Sequence, residues 1–215
     1  MPVYSVTGSR LFSTKVMKKV YIIHGWDGTP ESNWFPWLEH ELTALGFQVN
    51  VPQLPDAHMP RIEKWVPALT AAVGVPDEDT YFVGHSMGCQ AIVRYLEGLL
   101  DGVKVGGAVF VAGYFRPITN LEQDAESIAV DREWATTPID FTAVRTHLPR
   151  CIAIFSTTDP YVSLDNREDF AQKLGSEIVT LENRGHFYAS DDGITELPQA
   201  RDAIIKMAHK TNEHV

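Results

Sequence analysis

Apolar positions along this chain alternate between two periods: short, β-branched runs, and longer stretches in which apolar residues recur every three or four positions. The run Lys19-Val-Tyr-Ile-Ile-His24 is apolar at its centre and stops at Gly25, as a strand buried on both faces of a parallel sheet does. Ser32 is then a helix N-cap ahead of Trp34, Trp37, Leu38, Leu42 and Leu45, which share one helical face until Gly46 ends the pattern. Phe47 to Val51 reads as a second strand closed by Pro52. Ile62, Trp65, Val66, Leu69 and Val73 predict a second amphipathic helix, and Thr80-Tyr-Phe-Val-Gly84 a third strand. A helix from Ser86 to Leu100, strands at Val105–Val111 and Cys151–Phe155, a helix at Asp165–Leu174, a strand at Glu177–Leu181 and a last helix at Leu197–His209 complete the series.

Strands that alternate with helices must be mainly parallel, because parallel neighbours need long crossovers. The predicted fold class is therefore α/β, a three-layer α/β/α sandwich on a mainly parallel six-stranded sheet, with ligands expected at the carboxyl ends of the strands. A length of 215 residues suits one core, so residues 17–215 are expected to form a single domain. Residues 1–16 carry neither period and read as an arm or an extended start. Residues 113–149, polar and marked by Pro117, Trp134, Pro138 and Phe141, read as a lid-like insertion over the sheet edge.

Charge narrows the partners. With 18 basic against 28 acidic residues the net charge is −10, and no basic run offers the footprint that a phosphate backbone requires, so nucleic acid is not expected. Apolar stretches such as Tyr21-Ile-Ile23 are far shorter than a membrane span or a signal-peptide core, which predicts a cytoplasmic protein with no membrane partner. Cys89 and Cys151 lie far apart without metal-ligand spacing and read as buried core thiols. The sequence does not identify a protein partner.

The chemistry begins at Gly84-His-Ser-Met-Gly88, a G-x-S-x-G pentapeptide between a predicted strand and a predicted helix. Flanking glycines remove side chains that would collide at a sharp turn, and Ser86 at its apex projects its hydroxyl. The helix start places the Met87 amide, aided by the helix dipole, where an oxyanion would develop. The plainer alternative is a serine N-cap between two structural glycines. A serine hydroxyl needs a base, and of eight histidines His186 is the best placed, because Gly185-His-Phe187 follows the last strand. The imidazole in turn needs an orienting acid, and Asp159 in Ser156-Thr-Thr-Asp-Pro160 follows the strand before it. Pro160 also allows Asp159 a turn role, with Asp165 as the substitute acid or a helix N-cap. A second oxyanion donor is expected from His24-Gly-Trp-Asp-Gly28, at the Trp26 amide. His24 and His85 read as backbone hydrogen-bonding residues. Trp26, Tyr114, Phe115, Trp134 and Phe187, with Trp34 and Trp37, are candidates to wall an apolar substrate pocket, or else belong to the core.

With these pieces in place the chain resembles the α/β-hydrolase superfamily, and within it the small serine hydrolases of the retinoblastoma-binding-protein and YdeN type. The likeness rests on Val20-Tyr-Ile-Ile-His-Gly-Trp26, Gly84-His-Ser-Met-Gly88, Ser156-Thr-Thr-Asp-Pro-Tyr-Val162 and Gly185-His-Phe187. It implies a minimal hydrolase fold without the usual leading antiparallel strands, a triad of Ser86, Asp159 and His186, and hydrolysis of a small-molecule ester or amide with no metal or organic cofactor. An amidase or aminopeptidase using the same residues, and a hydrolase-fold binding module without turnover, remain the alternatives. Residues 116–149 match no motif of that group.

Overall fold

A computed structural model of the protein describes residues 17–121 and 124–210; the expected arm at 1–16 lies outside the described residues. Strands β1 (Lys19–Ile23), β2 (Gln48–Asn50), β3 (Thr80–His85), β4 (Gly107–Val111), β5 (Cys151–Ser156) and β6 (Glu177–Leu181) form one six-stranded sheet in the order β2-β1-β3-β4-β5-β6. Every neighbouring pair is parallel. β3, β4 and β5 are buried along their whole length, which is why their sequences are continuously apolar rather than alternating.

Helices cover both faces, completing the expected three layers. On one face α1 (Phe35–Ala44) packs beside α8 (Pro198–Lys210), enclosing a core of Trp34, Phe35, Leu38, Ile204 and the facing side chains of β1, β3 and β4. On the other, α2 (Ile62–Val73) and α3 (Met87–Glu97) enclose Trp65, Leu69, Phe82, Ile92 and Phe110. The chain first moves outward from β1 to β2, then crosses back to place β3 on the opposite side. β1 and β3 therefore straddle the point where the winding reverses, and a crevice opens between their carboxyl ends.

One local expectation is revised. Ser32 does not cap α1: the helix begins at Phe35, with Trp34 in the capping position and no side-chain cap. Asn33 adopts φ +55° and turns the chain between Ser32 and the helix, so the Ser32 hydroxyl instead accepts from the Thr29 amide at 2.9 Å. Residues 113–149 hold two helices, α4 (Ala125–Thr136) and α5 (Phe141–His147). Each is capped by an aspartate whose carboxylate accepts two amides, Asp124 from Glu126 and Ser127, Asp140 from Thr142 and Ala143. The segment is bolted to the helical layer. The Trp134 indole donates to the Pro60 carbonyl at 2.9 Å, and Arg94 donates to the carbonyls of Trp134 and Thr137 at 3.0 and 2.9 Å. Beyond it follow α6 (Asn166–Asp169), continuing into a π-helical turn at Phe170–Leu174, and the short α7 (Ala189–Asp192).

The approach of α3 to the sheet requires glycine. A methyl at Gly88 would collide with the carbonyl oxygens of Ile23 and His24, and one at Gly84 would sit 2.8 Å from Ile92 Cδ1 and 2.9 Å from the Cys89 amide nitrogen. Backbone cannot yield as a flexible side chain does, so Gly88→Ala is expected to cost about 3 kcal/mol of stability. The shift of the urea unfolding midpoint at unchanged slope measures it.

Candidate active site

Ser86 stands between the last residue of β3 and the first of α3 with φ +52° and ψ −122°, a backbone that costs a non-glycine residue about 1–3 kcal/mol. Neighbours hold it there: its amide donates to the Val111 carbonyl at the end of β4 at 2.9 Å, and its carbonyl accepts from the Cys89 amide at 3.0 Å. Its hydroxyl does not cap the helix, so the N-cap alternative for this serine fails. Gly25, just beyond β1, comes so close that a Cβ there would lie 3.0 Å from Ser86 Cβ.

Asp159 and His186 meet although 27 residues separate them. His186 Nδ1 lies 2.8 Å and 3.0 Å from the two carboxylate oxygens, and both side chains are only 3% exposed. A carboxylate accepts, so Nδ1 carries the proton and Nε2 is left as a bare lone pair. Asp159 Oδ1 also accepts from the amides of Tyr161 and Val162 at 2.9 and 3.0 Å, so this residue fills the turn role as well as partnering the imidazole. Asp165 is not at the site; its carboxylate pairs with Arg116 at 3.5 Å.

Three consecutive hydroxyls clasp the loops that carry this pair. Ser156, Thr157 and Thr158 accept from the amides of Arg184, Asn183 and Gly185 at 3.0, 3.3 and 3.2 Å. Around His186 the chain folds tightly, with Asn183, Gly185 and Phe187 all at positive φ. The rings of Tyr161 and Tyr188 pack on the imidazole with centroids 5.2 and 4.9 Å away. Neither tyrosine nor the hydroxyl clasp was singled out from the sequence, although Ser-Thr-Thr ahead of Asp-Pro is the readable trace of the clasp.

The bond from His85 to His186 brings the pair to the serine. His85 Nε2 donates to the His186 carbonyl at 2.8 Å, and the two rings lie 5.0 Å apart, so the base adjoins the residue preceding Ser86. The Ser86 hydroxyl forms no hydrogen bond with His186 among the described residues; unliganded sites often hold this contact open until substrate binds. Burial, with the neighbouring His186 adding to it, pushes the His85 imidazole down to about 3. His24 is also held neutral by burial; its Nδ1 donates to the Gly25 carbonyl at 2.8 Å and its Nε2 accepts from the Leu54 amide at 2.9 Å. Both histidines thus serve the backbone, as expected.

The Trp26 amide has no acceptor among the described residues, while its indole donates to the His58 carbonyl at 3.0 Å. Met87 is the first residue of α3, ahead of the helical ladder, so its amide has no partner within the helix. The candidate pocket aromatics lie in different parts of the molecule. Tyr114 and Trp134 are buried in the core on the α3 face, and Phe187 in the core on the α1 face, so the sheet separates them. Phe115 stacks on Phe170 with centroids 4.4 Å apart. Of the five, Trp26 does line a cavity, described below. Cys89 and Cys151 are free and buried, and burial raises both thiols, that of Cys151 to about 11. Among the described residues no cluster of three His, Cys, Asp or Glu side chains is arranged to hold a metal ion, and no helix is long and apolar enough to cross a membrane.

A parallel sheet whose reversal point carries a strained serine, with a buried histidine–aspartate pair at the same rim, defines a hydrolase-type site on an α/β sandwich. The chain belongs to the serine hydrolase family, whose sequence model matches residues 20–206. Among its relatives, YdeN of Bacillus subtilis (strain 168) is 32% identical over 187 residues, covering 87% of this chain and 94% of that protein. Serine hydrolase RBBP9 of Rattus norvegicus is 26% identical over 155 residues, covering 72% and 77%. The crystal structure of the B. subtilis ydeN product superposes with a TM-score of 0.81 at 30% identity over 90% of this chain and all of that one. A carboxylesterase structure from Nitrososphaera gargenis, at 12% identity and a TM-score of 0.70 over 93% of both chains, shares the fold.

The depressed basicity of His85 has a signed consequence. Unfolded, it takes up a proton near its ordinary value of 6.5; folded, it refuses one down to about 3. Protonation therefore favours the unfolded chain, and stability present above pH 6.5 is lost as pH falls toward 3, by up to about 1.4 kcal/mol per pH unit. His85→Gln retains a donor for the His186 carbonyl and is expected to flatten this slope in urea unfolding compared at about pH 7 and about pH 5.

Proposed function

We propose that this protein hydrolyses small carboxylic esters by acyl transfer. Ser86 attacks the carbonyl carbon, and His186 Nε2 takes the hydroxyl proton and returns it to the departing oxygen. Asp159 holds the imidazole in the tautomer that leaves Nε2 bare and steadies the cation that forms. The Met87 and Trp26 amides donate to the oxyanion. Water then enters along the same path to release the acid and free Ser86. Amides fit the same sequence of steps, with nitrogen as the departing atom, and a cytoplasmic setting is compatible with two unbridged thiols.

The observation that carries this reading is the buried Asp159–His186 pair, bonded through the His186 carbonyl to His85, the residue that precedes a serine whose hydroxyl caps nothing. Partial support comes from membership of the serine hydrolase family and from the esterase folds it resembles. A second reading, a binding module on a hydrolase scaffold, is favoured by the open contact between Ser86 and His186.

The two readings differ in covalent chemistry. A fluorophosphonate probe is expected to label wild type at Ser86, mapped by peptide mass, and Ser86→Ala is expected to remain unlabelled. Turnover of p-nitrophenyl butyrate should fall about 10⁴-fold or more in Ser86→Ala and about 10³-fold or more in Asp159→Asn, where the wrong tautomer is held. A folded wild type that neither labels nor turns over any of a panel of esters and amides would favour the binding module.

A further inference from the structure

Next to the serine, on the α1 side of the sheet, lies a cavity of about 300 Å³ that the acyl-transfer scheme leaves unused. Trp26 and Asp27 of the β1 loop, Tyr188 just before α7, Asp191 within α7, and His85 line it. His85 is only 1% exposed, and its Nε2 proton is committed to the His186 carbonyl. Its Nδ1 is consequently a lone pair with no donor among the described residues. Gly25 faces it across the cavity edge, where a Cβ would sit 3.6 Å away in ordinary van der Waals contact. Asp27 and Asp191 are exposed at the mouth and make no ion pair among the described residues. Burial first, and then several charged or polar neighbours including both carboxylates, raises the Tyr188 phenol, which places the two carboxylates within electrostatic reach of one ring.

The lining therefore offers two carboxylates, a buried imidazole lone pair and two aromatic surfaces, and it offers no cation. A neutral alcohol could donate to His85 Nδ1 but would leave the carboxylates uncompensated. A quaternary ammonium would meet the charges and the rings but has no proton for the lone pair. A primary ammonium group supplies both. We propose that this cavity is a subsite for a primary ammonium group, carried on the ester or amide that Ser86 attacks; the assignment to substrate, though not the binding itself, rests on the acyl-transfer reading.

The probe is n-butylammonium, titrated into the full chain near neutral pH and followed by ligand-observed saturation-transfer NMR, with n-butanol and tetramethylammonium as controls. Because the carboxylates are exposed, n-butylammonium is expected to bind only about threefold to tenfold more tightly than either control. Asp191→Asn is expected to remove most of the advantage over n-butanol. Equal affinities for n-butylammonium and n-butanol, or an advantage untouched by Asp191→Asn, would overturn the subsite. Competition of n-butylammonium with ester turnover, weakened by the same substitution, would support its use by substrate; binding with no effect on turnover would overturn that assignment alone. Failure of the ester assay leaves the NMR affinities readable, so the two ideas can fail separately.

Discussion

The hydrogen bond from His85 to the carbonyl of His186 joins positions 101 residues apart, and the site depends on it. One end is the last residue of β3, a strand buried along its whole length; the other is a loop with no regular structure of its own. The donor must be a neutral imidazole, since a charged ring could not stay buried without a counter-ion. The same burial that keeps the ring neutral also removes the water that would compete for the carbonyl. A β-strand thereby lends its rigidity to the loop bearing the base.

Backbone strain is gathered at the same end of the sheet. Asp27 after β1, Ser86 after β3, Ala112 after β4 and Phe187 after β6 all take positive φ without being glycine. Each such residue costs about 1–3 kcal/mol, and none would persist in an isolated loop. They persist because two apolar clusters, one on each face of a parallel sheet whose central strands are buried, hold the strand ends in place. Gly84, Gly88 and Gly25 serve the same end by letting backbone pass where a methyl would collide. The opposite end of the sheet carries no comparable concentration of strained residues among those described.

Much of this was legible in the chain. Ser86, Asp159 and His186 could be placed because each follows closely on an apolar run, and period and order are what a sequence records directly. Exact helix starts were less legible: Ser32 is a good capping residue, but the positive φ of Asn33 takes it out of reach, and that dihedral leaves no periodic trace. That Tyr114 and Trp134 pack on one face of the sheet and Phe187 on the other was not legible, because ring identity does not reveal which face a side chain serves. The helices at 125–136 and 141–147 were not legible, because their apolar faces are weak and their aspartate caps were recognised only in the structure. The bond between His85 and His186 was hidden for a simpler reason: a side chain meeting a distant carbonyl depends on tertiary placement alone.

The hydroxyl clasp of Ser156, Thr157 and Thr158 has a mechanical consequence. Since three amides of the base-bearing loop are tied to three successive residues of the acid-bearing loop, the two loops behave as one preassembled block. The block is joined to the serine turn through the His85 bond to the His186 carbonyl. Acid and base therefore keep their mutual alignment, and with it the proton stays on Nδ1 of the imidazole.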